Sequence, residues 1–256
     1  MRTIYKALSV ALGWCLLVAG GVSAQNLDSD EDNYQTITTY GVTTNTNSGI
    51  LGGFSFRQAK LLPTQLFGMK QYRYLSVELV NVKHPKEFQS NNGITGSRYI
   101  DGKQNYLFVL RPQYGREVKL FERGPDEGVA VSGIIAAGPS LGIIKPYYVQ
   151  IQEGNQTRTV PYSSLATIGA TPVGSGGLFQ GIGQSKLTVG LHLKTALSFE
   201  LSTFRTNTTG IEIGFLTELF PQKIIIMPGN DPTNPDEGNR SFFTSGYVTL
   251  YFGSKK

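Results

Sequence analysis

The chain has 256 residues, of which 31 are Gly, 11% are aromatic and only 16% are charged, with a formal net charge of +5. A composition rich in Gly and aromatic residues and poor in charge argues against a disordered chain or a coiled coil, and a single Cys argues against a disulfide scaffold. The length permits one large domain or two small ones.

Residues 1–24 have the features of a secretory signal peptide. Arg2 and Lys6 are followed by an apolar run of about 12 residues, which is shorter than the roughly 20 that a spanning helix needs. Small residues then precede position 25, as at a cleavage site. We therefore predict export and cleavage between Ala24 and Gln25.

The stretch after the predicted cleavage site is polar and locally acidic. Residues 25–41 predict a flexible periplasmic N-terminal extension, and residues 42–256 predict one β-domain. Removal of the signal leaves 21 basic against 18 acidic residues, a balance of +3. The basic residues are scattered and the protein is exported, so we expect no nucleic-acid partner.

Residues 186–203 carry the clearest secondary-structure pattern in the chain. In this segment, KLTVGLHLKTALSFELST, the odd-numbered positions from 187 to 201 are apolar except for Thr195, whereas the even-numbered positions are polar, charged or small. A period of two that continues over more than 15 residues predicts a long β-strand. The same alternation recurs in residues 211–219 and 247–252.

The whole pattern predicts an all-β protein, specifically an eight-stranded antiparallel up-and-down transmembrane β-barrel. A membrane-spanning strand needs about 9 to 11 tilted residues, and most of the predicted strands are that long. The predicted strands are 48–57, 71–82, 104–112, 129–137, 141–152, 186–203, 208–219 and 241–252.

Spacer lengths predict how the barrel is oriented. The spacers 138–140 and 204–208 are short, whereas 153–185 and 220–240 are long, as in outer-membrane barrels with short periplasmic turns. Both termini are then periplasmic. Residues 83–103 do not fit, because this topology requires a short turn there.

The inward-facing positions of the predicted strands include eight ionisable side chains. The lumen of an eight-stranded barrel is just wide enough to be filled by side chains, so we expect these groups to pair with one another in a structural network. The predicted network consists of Arg57, Glu78, Arg111, His192, Lys194, Glu200, Glu212 and Glu218.

The sequence predicts neither a catalytic site nor a cofactor or metal site. There are only two His residues, so a multi-His metal cluster is excluded. His192, Ser198 and Glu200 share a face, but six to eight residues of extended strand separate them by roughly 20 to 27 Å. The apolar run at 224–227 is open to two interpretations: a contact surface for lipid or a partner, or an extension of the preceding strand.

Four segments of the sequence are similar to segments of known proteins. They are VKHPKE at 82–87, KPYY at 145–148, FPQKI at 220–224 and the closing YVTLYF at 247–252. The chain resembles small outer-membrane β-barrels of Gram-negative bacteria and is similar to an uncharacterised Bacteroidota group. The resemblance implies insertion by the outer-membrane assembly machinery through the C-terminal aromatic strand. Similar barrels act as structural membrane proteins, adhesins or accessory parts of secretion systems, including the PorT-like component of the type IX system.

We therefore expect a non-enzymatic structural or accessory protein of the cell outer membrane. Its expected partners are outer-membrane lipid, the outer-membrane assembly machinery and a secretion or envelope protein. Two alternatives remain open: a soluble periplasmic lipocalin-like barrel whose Leu187 to Leu201 face lines an apolar cavity, and a lipid-modifying barrel enzyme that uses His192 or Glu200.

Overall fold

The structure is a computed structural model, which describes residues 35–91, 97–122, 128–201, 206–228 and 238–256. The predicted signal peptide, its cleavage site at Ala24 and Gln25, and residues 25–34 lie outside the described residues. Among the residues that are described, no helix is long and apolar enough to cross a membrane.

Eight of the described strands form one closed antiparallel barrel in which each strand pairs with its sequence neighbours, and the first strand pairs with the last. The fold is therefore an all-β, eight-stranded up-and-down barrel. Its strands are β1 (Thr36–Asn45), β2 (Gly49–Leu66), β3 (Met69–Val82), β6 (Asn105–Phe121), β7 (Ala130–Pro146), β11 (Lys186–Glu200), β12 (Asn207–Ile224) and β13 (Arg240–Lys255).

Five shorter strands lie in those parts of the connections that the structure describes. They are β4 (Gln89–Asn91) and β5 (Arg98–Ile100), which pair with each other, and β8 (Tyr148–Glu153), β9 (Gln156–Pro161) and β10 (Pro172–Ser175), which form a three-stranded sheet. A single-turn helix, α1 (Leu165–Ile168), follows β9. We call β8, β9, α1 and β10 the cap.

The first barrel strand, β1, begins inside the stretch predicted to be an extension. The predicted extension therefore reaches no further than residue 35. Prediction missed β1 because its inward positions Thr39 and Thr43 are small and polar, and only Tyr40 and Val42 give it an apolar outer face. These residues pair with β2 on one side and β13 on the other.

The predicted turn at residues 138–140 is wrong, because these residues lie within β7. Pro139 stands opposite Pro112 in the β6–β7 pairing, whose hydrogen-bonded ladder is interrupted there because Pro lacks an N–H. On the other side of β7, Pro139 stands opposite Leu191 in the antiparallel pairing with β11. An extra Cβ at Gly138 would lie 2.0 Å from the carbonyl oxygen of Pro112, so the two strands approach too closely there for a side chain.

Adding β1 and joining the two halves of β7 leaves the strand count at eight but changes which connections share an end of the barrel. The connections that follow β3, β7 and β12 now start and finish at one end of the barrel, which also carries the short turn 46–48. The connections that follow β2, β6 and β11 start and finish at the other end. The segment 83–103 therefore no longer contradicts the pattern of long and short connections. We call these the loop end and the turn end.

The lumen is closed by apolar side chains at the loop end. The cluster comes from three strands and the segment after β12, and it consists of Val80, Val82, Leu107, Val109, Phe220, Ile224 and Ile226. β12 reaches Ile224, so the strand extension is the correct interpretation for that residue. Ile226 lies just after the strand and, like Ile224, is buried in this plug and does not face lipid or a partner.

Candidate functional site

All eight residues of the predicted inner network are buried in the structure. Three further charged residues share the lumen with them, namely Glu117 and Lys119 of β6 and Lys255 of β13. Among the described residues, the lumen therefore holds five cationic side chains and five carboxylates, together with His192. Burial of this many charges requires that they pair.

The largest network lies near mid-barrel and joins strands that are not neighbours. Arg57 of β2 contacts Glu117 at 2.5 Å and Glu212 of β12 at 3.3 Å. Lys194 of β11 contacts Glu212 at 2.7 Å and Glu78 of β3 at 2.6 Å. These five residues thus connect five different strands across the lumen.

Tyrosine hydroxyls complete the hydrogen bonding of this network. Tyr247 donates to Glu212 at 2.6 Å, and Lys194 donates to the hydroxyl of Tyr74 at 3.2 Å. The guanidinium of Arg57 also lies 5.4 Å from the ring centroid of Tyr74 and 5.5 Å from that of Tyr251, within cation–π range.

A second network lies between the first and the apolar plug. Arg111 donates from Nε and Nη2 to the two oxygens of Glu218, at 2.9 and 2.8 Å. Ser140 donates to the same carboxylate at 2.5 Å, and its oxygen lies 3.0 Å from Nδ1 of His192. Glu218 is thus held by two side chains, in the bidentate geometry that makes Arg–carboxylate pairs strong.

The candidate enzymatic constellation does not assemble. His192 contacts Ser140 in the second network, whereas the hydroxyl of Ser198 lies 2.9 Å from that of Tyr251. Glu200 contacts Lys255 and lies 3.8 Å from Lys119 near the turn end. The structure therefore contradicts a site that uses His192 and Glu200 together.

One cavity of the lumen lies against Arg57, Tyr74 and Glu212 and has a volume of about 10 Å³. A cavity of this size is close to the minimum for a single water. No group of three His, Cys, Asp or Glu residues suited to a metal ion occurs in the part of the chain that the structure describes.

Sequence reasoning missed Glu117, Lys119 and the tyrosines for different reasons. Glu117 and Lys119 follow Pro112, where the predicted strand ended. The outward positions opposite them include Arg116, so the segment shows little contrast between its two faces. Tyr247 and Tyr251 were placed on the face opposite Leu250, but a tyrosine does not reveal from the sequence that its hydroxyl meets a buried carboxylate.

The outer surface of the barrel is apolar on every barrel strand. Each of the eight strands exposes large hydrophobic side chains, including Tyr40, Phe54, Val77, Tyr114, Ile135, Leu191, Phe215 and Leu250. We call this surface the apolar belt. The Leu187 to Leu201 face belongs to it, with Leu191 68% exposed. The lipocalin-like alternative, which places this face around a cavity, is therefore wrong.

Cations border the belt on three adjacent strands near the turn end. Lys60 of β2 stands opposite Arg73 of β3, which in turn stands opposite Arg116 of β6. Residues directly opposite in an antiparallel pair share a face. The next outward residue toward mid-barrel is Leu75 on β3 and Tyr114 on β6, so charge gives way to the belt within two residues.

The cap has its own hydrophobic cluster, outside the lumen. Tyr147, Val149, Ile151, Val160 and Leu165 are buried together in it. The hydroxyl of Tyr147 accepts a hydrogen bond from the backbone N–H of Ile100 in β5 at 3.0 Å. The connection that contains β5 is therefore joined to the cap.

Polar contacts fix the same region. Lys103 contacts Glu87 at 2.6 Å, and burial lowers the pKa of Lys103 although Glu87 opposes this effect. The hydroxyl of Tyr162 donates to Asp101 at 2.6 Å and accepts from the N–H of Gly102 at 2.7 Å. Burial and the bond to Asp101 raise the pKa of Tyr162 to about 12.

Two solved structures of Ail, the attachment invasion locus protein of Yersinia pestis, are similar to the chain. One is a complex with the heparin analogue sucrose octasulfate, with 9% identity and a TM-score of 0.38 over 86% of this chain and 97% of Ail. The other has 8% identity and a TM-score of 0.37 over 87% of this chain and 99% of Ail. The sequence matches no protein-family model and no curated protein. A likeness this distant assigns no activity to the chain.

Proposed function

We propose that this chain is an integral outer-membrane β-barrel with a structural or accessory role, whose closed lumen supports a cap that docks an envelope partner. The observation that carries the membrane placement is the apolar belt on all eight strands around a charged, filled lumen. Soluble proteins rarely expose apolar patches larger than a few hundred Å². Lipid-facing barrels alternate apolar outer with polar inner residues, as these strands do.

The cations beside the belt support the same placement. Lys60, Arg73 and Arg116 form one outward row beside the belt residues Leu75 and Tyr114, at the level proposed for the lipid headgroups. Their charged groups remain in water or contact phosphate while their stems lie along apolar surface. The turn end then faces the periplasm and the loop end faces outside.

Fractionation tests the membrane placement. We expect the protein in the outer-membrane fraction after an alkaline wash, and we expect it to leave that fraction only in detergent. On a gel, the unheated sample should migrate differently from the heated sample, because a closed barrel resists unfolding by the gel detergent until it is heated. Recovery of the folded protein in the soluble periplasm would overturn the proposal.

Docking at the cap is supported by the cap's own hydrophobic cluster and its ties to the connection 83–104. A surface held in one shape binds a partner without the cost of ordering a loop. The resemblance of VKHPKE at 82–87 and FPQKI at 220–224 to Bacteroidota barrels, among them the PorT-like component, supports a secretion-related partner. The outward aromatic positions of β13 support recognition by the outer-membrane assembly machinery.

Site-specific photocrosslinking in cells tests docking. A photoreactive residue at Gln156, at the exposed turn between β8 and β9, should capture a discrete partner band. The matched control is Phe67, which is exposed at the turn end. The same band from both positions, or no band from Gln156, would contradict docking through the cap.

A further inference from the structure

The segment between β10 and β11 holds exposed apolar side chains at the loop end. In residues 176–185, Leu178 is 56% exposed, Phe179 79% and Ile182 55%. Leu187, at the beginning of β11, follows closely and is 79% exposed as part of the apolar belt. The segment therefore continues the belt along the chain.

Hydrogen bonds hold this segment against the outer wall of the barrel. Lys145 stands opposite Tyr106, two positions beyond the pair of Phe108 and Ile143 in the same outward row. Its ammonium group donates to the carbonyl oxygen of Gln180 at 2.7 Å and lies 4.9 Å from the ring centroid of Tyr106. Because Lys145 points outward, the segment it binds lies outside the barrel and not over the lumen.

Tyr148 and two glycines fix the shape of the segment. Tyr148 donates from its hydroxyl to Gln184 at 2.8 Å, and its carbonyl accepts from the N–H of Gly176 at 2.8 Å. Gly181 has a φ of +78°, and a Cβ there would lie 2.4 Å from the ring of Tyr148. The polar groups and the backbone of the segment thus form hydrogen bonds with Lys145 and Tyr148. The side chains of Leu178, Phe179 and Ile182 remain exposed.

We propose that Leu178, Phe179 and Ile182 insert into the acyl region of the outer leaflet as a lipid-binding wedge beside the barrel. The inference rests on the proposed membrane placement. Lipid is the occupant because the wedge is continuous with Leu187 and the belt, and because Lys145 holds it on the wall that the belt covers. Insertion of three large apolar side chains at the rim fixes the depth of the loop end in the membrane.

Tryptophan fluorescence in lipid vesicles tests the wedge, because Trp14 is the one Trp in the sequence. In the full chain with Trp14→Phe, single tryptophans are placed by Phe179→Trp in the wedge, Leu191→Trp in the belt and Arg158→Trp in the cap. Arg158 is exposed and lies in β9. The vesicles are phosphatidylcholine with bromine atoms either high in the acyl chains or near their ends.

We expect blue-shifted emission and quenching at positions 179 and 191, and neither at position 158. Bromines high in the chains should quench position 179 more strongly, whereas bromines deeper in the bilayer should quench position 191 more strongly. Adding Lys145→Met to the Phe179→Trp variant should reduce quenching at position 179. Adding Lys145→Met to the Leu191→Trp variant should leave quenching at position 191 unchanged.

The possible failures are distinguishable. Quenching at position 191 without quenching at 179 overturns the wedge and leaves the membrane placement intact. Absence of quenching at 191 overturns the membrane placement and the wedge with it. A blue shift at 179 without quenching indicates contact with a second copy of the chain and also overturns the wedge.

Discussion

At the scale of single residues, the lumen depends on charges that neutralise one another across the barrel. Each carboxylate of the two main networks contacts a cation from another strand, and Glu212 contacts both Arg57 and Lys194. A buried pair adds little net stability over apolar residues of the same size, but removal of one partner leaves an uncompensated charge. The lumen therefore tolerates paired changes better than single ones.

Arg111→Met tests this dependence. The single substitution should lower the free energy of unfolding by about 3 to 5 kcal/mol, since Glu218 stays buried without its bidentate partner. Adding Glu218→Gln should restore part of this loss. The measurement is the free energy of unfolding by urea in lipid vesicles, monitored by circular dichroism.

The matched control for this prediction is Arg158→Met, which breaks the exposed pair with Glu153. It should cost no more than about 1 kcal/mol. Additive losses in the double variant would contradict coupling between Arg111 and Glu218.

Leu191→Arg tests the belt at one position. In a lipid-facing site near mid-membrane, the substitution should cost about 2 to 4 kcal/mol, because a charge must enter the acyl region. The control is Ile168→Arg, because Ile168 is 48% exposed in the cap. Equal unfolding free energies for the two variants in lipid vesicles would place Leu191 in water.

At the scale of elements, the sequence predicted strands well where the two faces differ in polarity and poorly where they do not. The strand at 186–203 and those near 211 and 247 were found, because large aliphatic residues alternate with polar ones. β1 was missed because threonines occupy its inner face, and β7 was divided because Gly138 and Pro139 are residues typical of turns. The count of eight was correct because these two errors compensate.

Eight of the ionisable side chains in the lumen were predictable from the sequence, but their partners were not, and Glu117, Lys119 and Lys255 were missed. Alternation identifies which side chains face inward, and burial then requires them to pair. Which carboxylate meets which cation depends on the stagger and tilt of the barrel. Glu78 stands opposite Arg111 in the β3–β6 pairing, for example, yet contacts Lys194 across the lumen.

Gly138→Ala tests the close approach of β6 and β7 at their opposed prolines. The added methyl meets the carbonyl oxygen of Pro112, so we expect a loss of about 1 to 3 kcal/mol, as for other overpacked sites. Gly183→Ala is the control, because nothing lies within 4 Å of a Cβ there. Thermal unfolding on unboiled gels ranks the two variants, and similar stabilities would argue against the contact.

The cap offers a prediction that depends on pH. Because the pKa of Tyr162 is raised from 10.0 to about 12 in the folded protein, the stabilisation from its protonated hydroxyl is complete below about pH 10. That stabilisation is lost as the pH rises through about 12. The tyrosinate absorbance of the wild type minus that of Tyr162→Phe should therefore titrate near 12. A difference that titrates near 10 would contradict the hydrogen bond to Asp101.

At the scale of the whole molecule, the described part of the barrel lumen is filled by side chains. Side chains occupy the lumen from the ion pairs at Glu200 to the apolar plug around Phe220, as expected for eight strands. The charges in the described part of the lumen balance, and they are engaged with one another. The features available for recognition are therefore the outer wall and the loop end.

Planar-bilayer recording tests this description. The purified protein should insert without stepwise ionic currents, because the plug leaves no continuous aqueous path. A large-pore porin inserted under the same conditions provides the positive control. Reproducible current steps from the folded protein would show an open path and contradict the filled lumen.

The pairing of β1 with β13 also governs the order in which the barrel is assembled. Ile37 stands opposite Lys255 and Asn45 opposite Tyr247, so this seam joins segments about two hundred residues apart. Contacts between such distant segments form slowly, and until they form, β1 and β13 each keep one unpaired edge that is able to join other chains. Because the chain is synthesised from its N-terminus, β1 can pair with β2 early, but its other edge stays unpaired until the final strand is made. Holding the unfolded chain apart from its copies during that delay is a requirement that this topology places on the cell.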